Sequence, residues 1–301
     1  MNKIYSYIFL FFIVSLSCAC REDDELFDEL PSFESEIVEK GDEAGIKITK
    51  YMKQSSTGSV QGADSFGDYL FQFQDHNAAV YVYDLKKKEY IGKVELNAKT
   101  NNHCNNVSFS RVFYDEGDEF PLLYVSGSSN GSYNQVQIYR IINDNSIFSV
   151  IQIQEIIFPK SSPDNDMYWT DVMIDPEDQI MYVTTVASSG EGKVSIFDIP
   201  DVKSTEVKLS DKDILDSFYV SKFTHHQGAN IHNGMLYIFE GVPQWGDTNY
   251  LRIIDLNKKE DIVRINITEK GFKAEAEGAF FYNEELYCAT NNSGIFKFSL
   301  K

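Results

Sequence analysis

Five positions spaced through the chain carry side-chain oxygens at the same point of a recurring pattern: Gln61, Asn105, Thr170, Gln227 and Glu277. One is a carboxylate, three are amides and one is a hydroxyl. Hard cations such as calcium take six to eight oxygens, amide carbonyls and waters included, so a ring of five oxygens about one axis could hold Ca2+ or an ordered water cluster. Carboxylates recur nearby at Asp64, Asp171, Glu240, Glu275 and Glu277. Glycoside hydrolysis needs an acid and a base or nucleophile roughly 5–10 Å apart, and Asp171 with Glu277 is the pair placed to supply them. His226 stands directly before one oxygen position, and a neutral imidazole there could contact a ligand or act as a base. Trp245, in the loop VPQWGDTNY, and Trp169, in DMYWTD, offer flat apolar faces that stack on sugar rings or bury in a protein partner. With Glu240, these three form the candidate ligand-binding set.

The pattern that brings these residues into register is an internal repeat. QGADSFGDYLFQFQD from Gln61, NNVSFSRVFYDEGDEFPLLYVSG from Asn105, TDVMIDPEDQIMYVTTV from Thr170, QGANIHNGMLYIFEG from Gln227 and EGAFFYNEELYCATN from Glu277 are five imperfect copies. Each is followed by a second matched run: VYVYDL, VQIYRI, VSIFDI, LRIIDL and IFKFSL. Short runs of β-branched and aromatic residues between Gly, Asn and Asp turns read as antiparallel strands. A repeat of about 40–60 residues built only of such strands predicts a β-propeller, with four-stranded blades around a central channel. The reading is all-β with five blades; the long second copy leaves six open, and a β-sandwich is the other architecture with many short strands. A fourth strand follows four copies as EYIGKVEL, SVIQIQEI, TEVKLS and IVRINI. The fifth copy lacks one, and Ala44 to Met52 (AGIKITKYM) is the strand expected to complete that blade and close the ring. DKDILDSF (211–218), with Asp at a cap position, predicts a short helix between the third and fourth blades.

Residues 1–20, MNKIYSYIFLFFIVSLSCAC, read as a secretory signal segment, too short and wrongly flanked for a membrane span. Residues 21–43 carry eleven Asp/Glu against two Lys/Arg and form an acidic, disordered tether; residues 44–301 are then the propeller domain. The net charge of −19, with no basic cluster, argues against nucleic acid as a partner. If Cys18 is removed and Cys20 modified, Cys104 and Cys288 remain, in blades that are not neighbours, and two buried thiols are expected there rather than a disulfide. A Gly-rich phosphate loop, a G-x-S-x-G elbow, CxxC and zinc-ligand spacing are all missing from the sequence, which counts against familiar catalysis.

Two resemblances add to this. The small residues and cysteines ending at Cys20 resemble the lipobox of bacterial lipoproteins, and the acidic run after it resembles the export tag of Bacteroidota-type surface lipoproteins. This implies lipidation at Cys20, membrane attachment through the lipid alone, and an outer-membrane, cell-surface location. The single-oxygen column, with EGAFF its nearest local match, resembles the calcium-dependent apyrases, five-bladed enzymes with one central ligand per blade. That likeness implies calcium in the channel and a nucleotide hydrolase as one activity. The reading favoured by the sequence is a binding module for an extracellular ligand, a glycan ahead of a protein. A hydrolase at the channel mouth, glycosidase or calcium-dependent nucleotide hydrolase, is the alternative.

Overall fold

The computed structural model describes residues 45–55, 58–75, 79–96, 102–129, 134–158, 171–186, 191–202 and 204–300. The expected leader, tether and lipidation site at Cys20 lie outside these residues, as do Trp169 and Thr170. Among the described residues no helix is long and apolar enough to cross a membrane.

The first strand, β1 (Lys47–Met52), belongs to the last blade. Blade 1 follows with β2 (Val60–Phe66), β3 (Tyr69–Gln74), β4 (Ala79–Asp84) and β5 (Glu89–Glu95). Blade 2 is β6 (Asn102–Phe109), β7 (Leu123–Ser129), β8 (Asn134–Asp144) and β9 (Ile147–Ile157). Blade 3 comprises β10 (Asp171–Asp175), β11 (Ile180–Val186) and β12 (Gly192–Asp198). The short β13 (Glu206–Lys208) then departs to blade 2, and β14 (Ile214–Val220) completes blade 3. Blade 4 is β15 (His226–His232), β16 (Met235–Glu240), β17 (Tyr250–Asp255) and β18 (Glu260–Asn266). Blade 5 is β19 (Ala276–Tyr282), β20 (Glu285–Thr290) and β21 (Ile295–Ser299), with β1 on its outer edge. The protein is therefore an all-β, five-bladed propeller.

The ring closes as the repeat requires. β1 pairs antiparallel with β21, Ile48 opposite Phe298 and Thr49 opposite Lys297, so the two ends of the domain share one sheet. Inner strands pack in sequence around the axis, β2 on β6, β6 on β10, β10 on β15, β15 on β19 and β19 back on β2. Turn chemistry sets the hairpins: Asn233–Gly234 and Asn283–Glu284 both take positive φ, the two-residue turn that matches strand twist. Asp84, Asp175 and Asp255 end strands and accept backbone N–H groups two or three residues on, fixing the longer turns.

Two expectations about blade 3 change. The TEVKLS segment does not supply its outer strand; Glu206–Lys208 instead runs parallel to β9, Val207 opposite Ile156. Gln154 holds the approach by donating its Nε2 to the carbonyls of Asp201 and Ser204. The outer strand is β14, and the short helix expected over 211–218 shrinks to a single 3-10 turn, Asp211–Asp213. The cap is Ser210 rather than an aspartate, bonding reciprocally with Asp213, and the following Phe218 and Val220 bury against Val194 and Ile196 in the strand period. Cys104 and Cys288 are both buried, in blades 2 and 5, and are not joined in a disulfide.

Candidate functional site

The inner strands approach one another unusually closely. In the repeated [Gln/Glu]-Gly-Ala triplet, a Cβ on Gly228 would stand 2.4 Å from Gly278 Cα, and one on Gly278 would stand 2.6 Å from Ala63 N. Only glycine lets the three backbones meet there. A bulge at the same point of β2, β6, β15 and β19 turns the preceding side chain toward the axis. Below this level the axis is bridged by side chains from non-adjacent blades. Asn106 Oδ1 of blade 2 accepts from Ala229 N of blade 4 at 2.9 Å, and Asn230 of blade 4 donates to Asp64 Oδ1 of blade 1 at 3.0 Å. The propeller thus presents a bowl at one end of its axis, floored by these bridges.

That bowl is a cavity of about 570 Å³. Gln61, Asn105, Gln227 and Glu277 form its floor, so four of the five oxygen-bearing positions come together as the repeat predicts. His103, His225, His226 and Glu275 join them, and Phe223, Val242 and Trp245 supply an apolar wall with Lys222 and Thr224 beside it. Trp245 sits on the 3-10 turn Pro243–Trp245 and is 67% exposed, with its ring edge-on to His225 at 5.1 Å. Each of three histidines is matched by an aspartate: His103 with Asp75 at 2.9 Å, His225 with Asp247, and His226 with Asp171. Burial works against the Asp247 charge, yet the Val242 N–H and His225 hold its carboxyl below the usual range.

Asp171 and Glu277, the expected catalytic pair, occupy different settings. Asp171 is fully buried, accepts from Asn105 Nδ2 on both oxygens at 2.8 and 2.7 Å, and faces His226 Nδ1. It reaches the bowl only through those two side chains. His226 is pinned in turn by Thr184 Oγ1 at 3.3 Å from its Nε2 and by the edge of Phe223. Glu277 is 1% exposed, and its Oε2 has no hydrogen-bond partner; Gln61, 4% exposed, likewise has an unpartnered Oε1. The one link between them is Gln61 Nε2 to Glu277 Oε1 at 3.4 Å. Burial, then the charge of the adjacent Glu275 and a hydrogen bond to it, then Asp75, push the Glu277 carboxyl well above its ordinary range. Glu275 itself is oriented by Gln244 and by Asn291 Nδ2 at 2.8 Å.

Two other carboxylates of the sequence reading stand elsewhere. Glu240, expected to touch ligand, is completely buried and lies between Arg252 and Arg264 rather than on the cavity wall. Arg252 continues to Asp261, Ser221 and the Lys222 carbonyl, and Arg264 to Thr224 Oγ1. Glu240 therefore shapes the wall at second hand, by fixing the segment 221–224. Asp64 belongs to the floor bridges; its carboxyl is raised to about 7 by burial, against the opposing N–H groups of Phe109 and Ser65 and the Asn230 amide.

As a calcium site the column fits poorly. Among the described residues no three His, Cys, Asp or Glu side chains converge as metal ligands, and the column brings one carboxyl. Gln61 Oε1 is a free acceptor, but a ring of amides around one carboxyl lacks the charge that holds Ca2+ tightly. Phe223, Val242 and Thr224 were not singled out in the sequence, because they lie in connections that have no counterpart among the copies.

No family model matches the sequence, and no curated protein matches it at a significant level. Solved structures do. Glutaminyl cyclase of Myxococcus xanthus superposes with a TM-score of 0.52 at 12% identity, over 85% of this chain and 96% of that one. Raptor of Chaetomium thermophilum gives 0.47 at 10% identity, over 84% and 29%, and hydrazine synthase of Kuenenia stuttgartiensis gives 0.38 at 12%, over 77% and 61%. At these identities the first likeness shows the propeller fold alone, and the other two carry no argument.

Proposed function

We propose that the protein is a surface-anchored binding module that takes an extracellular glycan at the mouth of its propeller. The observation that carries this is the composition of the 570 Å³ bowl: an aromatic wall, Trp245 with Phe223, above a floor of amide and carboxyl groups. A sugar ring has an apolar face and a hydroxylated edge, and this wall and floor match the two. Lipidation at Cys20 with the acidic run after it would attach the domain to the outer membrane. A protein partner fits the bowl less well, since it is concave and only large enough for a small group.

A hydrolase is the second reading, and Glu277 favours it. A buried carboxyl whose pKa is pushed upward has the character of a general acid. Its expected partner, Asp171, is occupied by Asn105 and His226, so activity would require His226 to act as the base.

The deciding experiment uses the chain from Arg21 onward with Cys20 removed, mixed with a panel of polysaccharides. Retention on one of them during native electrophoresis, with no new reducing ends, supports the binding module. Release of reducing ends that disappears in Asp171→Asn or Glu277→Gln overturns it and makes the protein a glycosidase. Neither retention nor release removes the glycan.

A further inference from the structure

Two carboxyl groups, Glu275 and Glu277, lie side by side at one wall of the bowl with no cationic side chain between them. Around the rest of the mouth each carboxylate faces a histidine: Asp75 has His103, Asp247 has His225 and Asp171 has His226, whereas Glu275 is held by the neutral amides of Gln244 and Asn291 and Glu277 by that of Gln61. The sole lysine of the lining, Lys222, lies on the segment that Arg252 holds through the Lys222 carbonyl. Next to the carboxyl pair is an unsatisfied acceptor, Gln61 Oε1, on a residue 4% exposed. A buried acceptor without a donor is costly, and one set beside two carboxyl groups is a place for a group that donates.

We propose that the ligand presents a protonated primary amine, which enters between Glu275 and Glu277 and donates to both and to Gln61 Oε1. Resting on the glycan reading above, this makes the ligand an amino sugar with a free amine. An ammonium carries three donors, the number of acceptors assembled here. The aromatic wall of Trp245 and Phe223 is suited to an organic cation on a carbon skeleton, whereas a hydrated metal ion would gain nothing from it. In the complex the ammonium is the counter-ion of the Glu275–Glu277 pair.

The test compares a glucosamine tetramer with its fully N-acetylated counterpart by calorimetry on the lipid-free chain from Arg21, at about pH 6, where the amines are charged. The glucosamine tetramer is expected to bind about tenfold to a hundredfold more tightly, a range typical of one charge-assisted hydrogen bond. Glu277→Gln, which keeps the shape and leaves no buried partner stranded, is expected to collapse that ratio toward one while the thermal midpoint holds or rises. Equal or tighter binding of the N-acetylated tetramer overturns the amine and leaves the glycan module standing. Butylammonium and calcium chloride are titrated in parallel. Binding of butylammonium alone, lost in Glu277→Gln, upholds the amine and removes the glycan. Calcium binding that Glu277→Gln abolishes, or no binding by any of the four, overturns the proposal.

Discussion

Two buried glutamates on neighbouring blades meet opposite fates. Glu240 is clasped by Arg252 and Arg264, which pass the charge on to Asp261, Ser221 and Thr224. Glu277 faces another carboxyl and an amide, with one oxygen left unpartnered. Both side chains are sealed from solvent, 0% and 1% exposed, so burial does not separate them. The difference is in the company each keeps: two guanidinium groups surround Glu240, and a second carboxyl and an amide surround Glu277.

The comparison breaks most severely at Arg252. Arg252→Ala leaves Glu240 with Arg264 alone and frees Ser221 and the Lys222 carbonyl, and breaking a buried pair costs up to about 3–5 kcal/mol. Urea denaturation should show that loss. It should also show weaker ligand binding, because Phe223 and Thr224 lose their support from below. An unchanged denaturation midpoint would mean that the network is decorative. Next in size is Gly228→Ala, whose new methyl meets the Gly278 backbone; overpacking of this kind costs about 1–3 kcal/mol. It should lower stability without touching any polar contact of the site.

That glycine also marks what the sequence made legible. The [Gln/Glu]-Gly-Ala triplets at 61, 227 and 277 placed three inner strands in register, and four oxygen-bearing residues do line one bowl. The closing strand was readable because the fifth copy visibly lacked a partner for Ile295–Ser299. The role of Glu240 was not, because its neighbours Arg252 and Arg264 lie on two further strands and only the pleat of the folded blade shows them pointing back at it. Nor was the pairing of Glu275 with Glu277. Residues two apart on a strand share a face, but here a bulge intervenes and both reach the cavity for a different reason. The TEVKLS segment misled because alternation shows which residues can pair and is silent on which edge they choose.

The Glu277 half of the comparison is sharpened by pH. Its folded-state pKa lies above the unfolded value, so between those two values the native state binds more protons than the unfolded chain. Stability therefore falls as pH rises through that window, by about 1.4 kcal/mol for each unit of separation. Glu277→Gln removes this slope, and the difference in unfolding free energy between variant and wild type should grow in the variant's favour from about pH 4.5 upward. Asp64, raised to about 7, contributes a slope of the same sign that persists in the variant and ends near neutrality. A wild type no steeper than Glu277→Gln would place the carboxyl in ordinary contact with solvent and end the contrast with Glu240.

The smallest effect on folding is expected at Trp245, and its smallness is informative. The side chain is 67% exposed on a loop turn and packs only edge-on against His225, so Trp245→Ala should move the unfolding free energy by no more than about 0.5 kcal/mol. An exposed indole that contributes so little to the fold is retained at a cost in solubility, and on this reading it is the lid of the stacking wall. The same substitution should weaken retention on the bound polysaccharide about tenfold, in keeping with one lost aromatic contact. Loss of binding with stability intact would separate the wall from the scaffold that carries it. Unchanged binding would move the ligand off the Trp245 wall and deeper, onto Phe223 and the Glu275–Glu277 pair.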